Sequence, residues 1–588
     1  MKLSDYVADF LVQQKVKHVF GITGGAIVHI FDSIASNPDI QHICTLNEQG
    51  AAIAADAYSR ITRNIGVAIA TSGPGATNLV TGVCCSFYDS IPVLLITGQV
   101  PRSQLKKDSE CRQIGFQETN IVTMFSSITK YSALVEDPEK IRYELEKAVH
   151  IARTGRPGPV LLDIPDDVQR AEIDASKLNG FIPGKSTVWA GLKKQVDAVV
   201  DLLEKAERPV IILGGGIKLA KADEKALDFA EKLRFPIALT WATKDILPHD
   251  HPRVIEGFGV SSERAGNFAV QNSDLVLALA TRLDTHEAGS NFSTFAREAK
   301  KVVLDIDKSE LDKFGKLGMD VDILINCNIH DFLDEIQKRN IKVKDVSDWI
   351  KRIDEWKSRY PICPREYFDE KEYINPYVFM DTLSKESKQG DIVITDAGAN
   401  LTWTMQSYRV KKGQRLFSAF NHSPMGYSLP AAFGASLAAK KPVICIIGDG
   451  GIQMNIQELA SIKYHNLPIH IFVFNNNGYG IMQQTQDTWL GSRYVASNPD
   501  SGVPIPDFIE IAKAYGIPTL VIKNHQELRQ GIRKTLDHTS GPILCNVRIE
   551  QHYKIKPKLE FGKPIEDSSP LLDRKEFLQN MIVEPLDK

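Results

Sequence analysis

The sequence predicts an α/β protein built of three doubly wound parallel-sheet domains, and three observations support this. Short β-rich apolar runs recur along the chain, each followed by a stretch with helical spacing. The runs are apolar throughout rather than alternating, as expected for strands covered on both faces of a parallel sheet. The length of 588 residues accommodates about three or four domains at ~150 residues each. No short repeat is present, which excludes a solenoid.

Residues 1–170 form the first unit, with strands expected at 67–70 and 93–96. Arg156-Pro157-Gly158-Pro159 leads into a last strand, 160–164, ended by Pro165. Residues 171–190 are polar and irregular and read as a linker. The second unit, 190–340, opens on the apolar run from Pro209 and carries strands at 275–280 and 302–306. A charged stretch near 341–372 leads to the third unit, 370–550, with a first strand at 391–395 and a last one at 543–547. Residues 551–588 form a tail with little periodicity except near its end.

Composition is ordinary for a globular chain, with 43% hydrophobic and 24% charged residues and a net charge of −3. That balance gives no reason to expect nucleic acid or an anionic membrane as partner. No apolar run reaches the ~18 residues of a membrane span, and the N-terminus lacks a signal-peptide core. The eight cysteines form no CxxC pair, and Cys84-Cys85 lies in a helix-like apolar stretch. They read as reduced core residues of a cytoplasmic protein.

The segment 443–482 carries the chemistry. A buried strand at 443–447 ends on Gly448-Asp449-Gly450-Gly451, where glycines let the backbone turn around one carboxylate. Ile452, Ile456, Leu459 and Ile462 follow at helical spacing, and a second strand, 469–474, ends on Asn475-Asn476-Asn477-Gly478. Hard oxygen ligands thus stand at the carboxyl ends of both strands, the edge where open α/β sheets bind ligands. Asp449, the Asn476 side chain and the Gly478 carbonyl supply three oxygens to Mg²⁺, leaving positions for two phosphate oxygens and a water. This spacing resembles the diphosphate-binding motif of thiamine diphosphate (ThDP) enzymes.

Two further residues fit that chemistry. Glu48 follows a short β-rich run and starts an alanine-rich helix, and it is the only acid of its segment before Asp56. A ThDP enzyme needs one carboxyl group against N1′ of the aminopyrimidine, because the proton shared there lets the 4′-nitrogen act as base. Met425, in Asn421-His422-Ser423-Pro424-Met425-Gly426, is placed as the apolar wedge over which the cofactor bends, with the Ser423 carbonyl beside the aminopyrimidine.

From residue 1 to about 550 the chain resembles the acetolactate synthase (acetohydroxyacid synthase) large-subunit family. The resemblance is carried by FGITGGAIVHIFDSI with Gly24 and Gly25, NEQGAA with Glu48, TSGPGATN (71–78), FQETNIV (116–122), Thr129-Lys130 and GRPGPVLLDIP. It implies Gln117 and Lys130 as catalytic partners of Glu48 and Gly398 beside the cofactor; His422 is a further catalytic candidate. It also implies a homodimer or homotetramer, with each active site built by Glu48 of one chain and Asp449 of another. FAD without a redox role is implied in the second unit, against Gly214-Gly215, Thr281-Arg282 and Asp305.

The chain departs from that family on one side. The family carries a tryptophan where this chain has Thr485, and an acceptor-gripping arginine where it has His286. The family's methionine-histidine-glycine loop is Phe258-Gly259-Val260 here, and Asn421 and His422 replace small residues facing the thiazolium. An arginine grips a carboxylate in a way that a neutral histidine does not. The tail resembles that of acetolactate-synthase-like proteins of branched-chain sugar pathways. The expected activity is a carboligase with pyruvate as donor and a ketone acceptor, a nucleotide-linked keto-deoxysugar, lying against Phe116, His286, Met482 and Thr485. Acetolactate synthase proper is the alternative. A simple 2-oxo acid decarboxylase fits less well, since there is no His-His pair and Met482 stands where pyruvate decarboxylases carry glutamate. A regulatory, non-catalytic chain would have no need of Glu48, Asp449 and Asn476 together.

Overall fold

The computed structural model describes residues 1–107, 109–184 and 191–586. Part of the expected linker, 185–190, lies outside the described residues.

Three sheets form, and every ladder between their strands is parallel. The first holds β1 (His18–Gly21), β2 (Gln41–Cys44), β3 (Gly66–Ala70), β4 (Val93–Gln99), β5 (Tyr131–Leu134) and β6 (Val160–Pro165). Its order is β2-β1-β3-β4-β6-β5. The second holds β7 (Pro209–Leu213), β8 (Ile237–Leu239), β9 (Leu275–Leu279), β10 (Lys300–Asp305) and β11 (Ile323–Asn326), in the order β11-β10-β9-β7-β8. The third holds β12 (Ile392–Thr395), β13 (Arg415–Phe417), β14 (Val443–Gly448), β15 (Ile469–Asn475), β16 (Thr519–Ile522) and β17 (Ile543–Arg548). Its order, β13-β12-β14-β15-β17-β16, repeats that of the first sheet strand for strand.

This shared winding fixes where ligands go. Strand order reverses between β1 and β3, between β7 and β9, and between β12 and β14. A crevice opens beyond the carboxyl ends of the strands at each reversal. Gly24 and Thr71 follow the first pair, Gly214 and Thr281 the second, Asp396 and Asp449 the third.

The first and third units share one core. Helix Glu48–Thr62 packs its alanines against helix Ser428–Ala439. A Cβ at Gly434 would lie 2.1 Å from the Ala54 carbonyl oxygen, so only glycine permits so close a crossing. The salt-bridged Asp56–Arg60–Asp89 chain, with Tyr427 donating to Asp56 at 2.6 Å, ties the two units at the edge of this core.

Two stretches outside the three expected units pack into the core of the second. The stretch 341–372 is no simple connector: helix Ser347–Arg359 inserts Trp349 and Trp356 into the core of the second unit. Its charged face hid that apolar stripe in the sequence. The tail is likewise no loose end. Leu559, Ile565 and Phe577 join the same core, and Trp356 donates to Asn580 of helix Arg574–Asn580 at 2.9 Å. The tail therefore straps the third unit onto the second.

Candidate functional site

The third sheet's reversal point holds the metal-ligand candidates together. Asp449 is buried; its Oδ1 accepts from the Gly450 N–H at 2.7 Å, and its Oδ2 from Asn476 (3.1 Å) and Gly478 (3.0 Å). Burial pushes its carboxyl up to about 7. The one helix expected after it is two, Asp449–Met454 and Glu458–Tyr464, broken where Asn455 turns its side chain to donate to the Gly426 carbonyl. Space along this turn is tight. A Cβ on Gly450 would stand 2.3 Å from the Tyr479 ring and 3.1 Å from Met425 Cε, and one on Gly451 would stand 2.1 Å from Asp396. At Gly448 it would meet the Asn400 side chain at 3.2 Å.

Met425 thus sits against the Asp449 turn. Its loop hangs on Asp396, a fully buried carboxylate that the sequence reading passed over. Asp396 accepts from the Gly426 N–H (2.9 Å) and the Ser428 N–H (3.0 Å), and burial pushes it up to about 7. Ser423 has a left-handed backbone (φ 49°), a conformation that costs a non-glycine residue energy and that clusters at functional sites. Gly398, at φ 88°, supplies the turn after β12. His422 is exposed and stacks on Tyr88 with ring centroids 5.7 Å apart, while Asn421 is held by Asp89 and Arg282.

Glu48 begins its helix at the carboxyl edge of the first sheet, with Asn47 as N-cap. Its buried carboxylate accepts from Asn78 at 2.9 Å. The preceding Leu46 and Asn47 N–H groups donate to Glu458 Oε1 (3.0 and 3.2 Å), so the third unit anchors the segment that presents this acid. Gly24 packs on Thr71, whose hydroxyl accepts from Ala26 N–H beside Gly25. Gln117 (φ 63°) lies over Gly73, and Phe116 beside it is 84% exposed. Glu118 holds this loop through the N–H of Ile114 (2.9 Å) and of Lys106, and Gln99, gripped by buried Asp163, donates to the Thr119 carbonyl at 2.9 Å.

Lys130 does not join them. It precedes β5 and lies at the amino edge of the first sheet, opposite the edge of Glu48 and Gln117. Its ammonium caps the carbonyls of Ile151 and Thr154 at the end of a helix (2.5 and 2.7 Å), and burial lowers its pKa to about 8. Helix-end carbonyls are favourable partners for a cation, so within one chain Lys130 acts as a helix cap, away from Glu48 and Gln117.

A cavity of about 1200 Å³ runs from the carboxyl edge of the second sheet to the amino edge of the first. Gly215, Thr281, Arg282, Asp305 and His286 line it. A Cβ at Gly214 would lie 2.2 Å from the Ala280 carbonyl, and one at Gly215 would lie 2.9 Å from Ala242. Burial raises Asp305 to about 6. The His286 ring packs on Trp241 at 4.0 Å between centroids, and burial lowers its pKa although Asp284 opposes the shift. Met482 and Thr485 lie on helix Gly480–Leu490, which leaves the Asn476 turn; Met482 is 46% exposed.

Family models match all three units: "Thiamine pyrophosphate enzyme, N-terminal TPP binding domain" at residues 1–124, the central domain at 196–336 and the C-terminal TPP binding domain at 396–547. The probable acetolactate synthase large subunit of Methanocaldococcus jannaschii is 34% identical over 565 residues, covering 94% of this chain and 92% of its own. The acetolactate synthase large subunit of Pyropia yezoensis is 34% identical, covering 94% and 93%. That of Corynebacterium glutamicum is 32% identical, covering 95% and 88%. The chain belongs to the acetolactate synthase large-subunit family. It is a ThDP-dependent enzyme, a carboligase of the acetolactate synthase kind.

Within that family the site's residues fit the cofactor. Asp449 is a buried carboxylate beside the Asn476–Gly478 turn, a hard oxygen donor of the kind that would suit a divalent cation. The glycine bed and bounding acid of the long cavity fit a dinucleotide such as FAD. Spacing in the sequence carries no trace of Asp396, Asp163, Glu118 or Glu458, since each acts through backbone N–H groups or side chains brought close only by folding. Among the described residues, no helix is long and apolar enough to cross a membrane.

Proposed function

We propose that this carboligase takes pyruvate as donor, releases its carboxylate as CO₂ and transfers the remaining two-carbon unit to the keto carbon of a nucleotide-linked deoxysugar. Bound ThDP supplies the carbanion-stabilising chemistry. Glu48 would share a proton with N1′ of the aminopyrimidine, Met425 would support the bent cofactor, and the Ser423 carbonyl would accept from its amine. Asp449, Asn476 and the Gly478 carbonyl hold Mg²⁺, with Gly24, Gly25, Gly398, Gly448, Gly450 and Gly451 giving the backbone room to approach. Gln117 and His422 orient the donor. The long cavity would hold FAD against Gly214, Gly215, Thr281, Arg282 and Asp305, with no part in electron transfer.

We assign each working site to two copies of the chain, Glu48 and Phe116 from one and Asp449 and Met482 from the other. The exposure of Phe116, Leu46 and Met482 on a single copy supports this.

The acceptor assignment rests on His286. Its ring is held neutral against Trp241 where the family's synthases carry an arginine, so it has no bidentate grip for a second pyruvate carboxylate. Thr485 in place of tryptophan leaves more room beside helix Gly480–Leu490. Acetolactate synthesis itself is the second reading, favoured by the names of relatives at 31–34% identity. Incubation with pyruvate, ThDP and Mg²⁺ against a panel of ketones, assaying acetolactate and branched sugars separately, decides between them.

A further inference from the structure

All three units of the chain meet at the side chain of Asn421. Its Nδ2 donates to Asp89 Oδ1 at 2.6 Å, and Asp89 ends helix Val80–Asp89 of the first unit. Its Oδ1 accepts from Nη2 of Arg282, which belongs to the second unit and follows β9, at 2.5 Å. Asn421 itself belongs to the third unit, four residues before Met425. One amide thus donates to an anion on one side and accepts from a cation on the other, which fixes its orientation. An aspartate there would set two carboxylates together, and an aliphatic side chain would serve neither neighbour.

These contacts hold one end of the loop that carries Ser423 and Met425. Asp89 also accepts from the Phe420 N–H (3.0 Å) and the Asn421 N–H (3.1 Å), and Arg60 donates to the same carboxylate at 2.8 Å. At the other end Asp396 accepts from the Gly426 and Ser428 N–H groups. Ser423, with its left-handed backbone, lies between the two anchors. Such a conformation persists only where its surroundings over-determine it, so the loop needs both.

The anchors differ in what reaches them. Asp396 is fully buried, whereas Asp89, Asn421, Arg282 and Asp284 line the long cavity. Arg282 uses Nη2 alone to bind Asn421 and Asp284 (2.7 Å); among the described residues its Nε and Nη1 donate to nothing. A ligand phosphate against those N–H groups would hold the guanidinium, and with it Asn421.

We propose that Asn421 is a positioning residue through which a dinucleotide in the long cavity tightens the ThDP loop. Occupancy fixes Arg282, Arg282 fixes Asn421, and Asn421 fixes the upstream end of the loop that aims Ser423 and Met425. The small residue that the family carries at this position has no amide with which to do the same. This inference rests on the reading of the cavity as an FAD site and adds what the bound dinucleotide does for the other cofactor.

The test titrates protein freed of both cofactors with ThDP and Mg²⁺ by calorimetry, with and without saturating FAD. In the unmodified protein FAD should tighten ThDP binding by about 10-fold or more, as is usual for coupled sites. ThDP should tighten FAD binding by the same factor, read from flavin fluorescence, because coupling of affinities is reciprocal. Asn421→Ala and Asn421→Asp should each bring that factor below about 2, while FAD alone still binds. A residue that only supported the fold would weaken both cofactors and leave the factor where it was. The proposal is overturned if FAD leaves the ThDP affinity of the unmodified protein unchanged, or if the variants keep the full factor. Failure of the FAD reading looks different: flavin fluorescence is then unaltered by the protein, and the inference falls with it.

Discussion

The turn around Asp449 and the helix that leaves it differ in how tightly they are determined. At the turn, glycines stand within 2.1–3.2 Å of neighbouring side chains, counted from where a Cβ would be, and Asp449 and Asp396 hold backbone N–H groups from separate segments. Little there can change without displacing something else. On helix Gly480–Leu490 Met482 and Trp489 are exposed and Thr485 is half-buried, so fewer neighbours hold their side chains. Chemistry shared by a family is kept where the structure is over-determined, and substrate choice is altered where side chains are free to vary. Of the departures, Thr485 falls on this helix, while His286 lies in the long cavity with its ring packed on Trp241.

The largest effects are expected on the constrained side. Glu48→Gln should leave ThDP binding largely intact but slow exchange of the cofactor's C2 proton by orders of magnitude, since an amide does not share the N1′ proton. Deuterium exchange followed by quenching and NMR checks this, and an unchanged rate would remove Glu48 from the reaction. Asp449→Ala should abolish Mg²⁺-dependent cofactor binding in a calorimetric titration, because it removes the one charged ligand of a hard cation.

Asp396→Asn should lower kcat by up to about 100-fold, since it loosens the loop that aims Met425. Bound-cofactor affinity should fall less than turnover, and equal losses in both would reduce Asp396 to a general folding role. Lys130→Met tests the opposite case. It should cost about 1–3 kcal/mol of stability through two unmet helix-end carbonyls, read from denaturant titration, while kcat stays near that of the unmodified enzyme.

The smallest effect is on pH dependence. Burial raises Asp163 from 3.8 to about 7. Between those values the folded chain keeps a proton that the unfolded chain has released, so this group's contribution to stability is full below about 4 and is lost as pH rises to about 7. Asp163→Asn should flatten the decline of apo-protein stability across that window. An unaltered slope would show that Asp163 is ionised throughout.

The constrained side was also the legible one. Glycine-rich turns after apolar runs mark β14, β15 and β7 in the sequence because their spacing is local. The short edge strands β5, β11 and β16 are half-exposed and carry no such run. Lys130 precedes β5, a short half-exposed strand that no apolar run marks, so its place at the amino edge needed the fold. Asp396 escaped because its partners, Gly426 and Ser428, lie thirty or more residues away.

Whether the departures at His286 and Thr485 have changed the reaction's partner is decided by acetolactate formed per CO₂ released when the unmodified holoenzyme is given pyruvate alone. A neutral His286 and a small Thr485 predict a ratio far below one. They also predict that a nucleotide-linked keto-sugar raises CO₂ release and appears as a branched product. One acetolactate per CO₂ from pyruvate alone, unaffected by any sugar, would contradict the account and make the enzyme an acetolactate synthase.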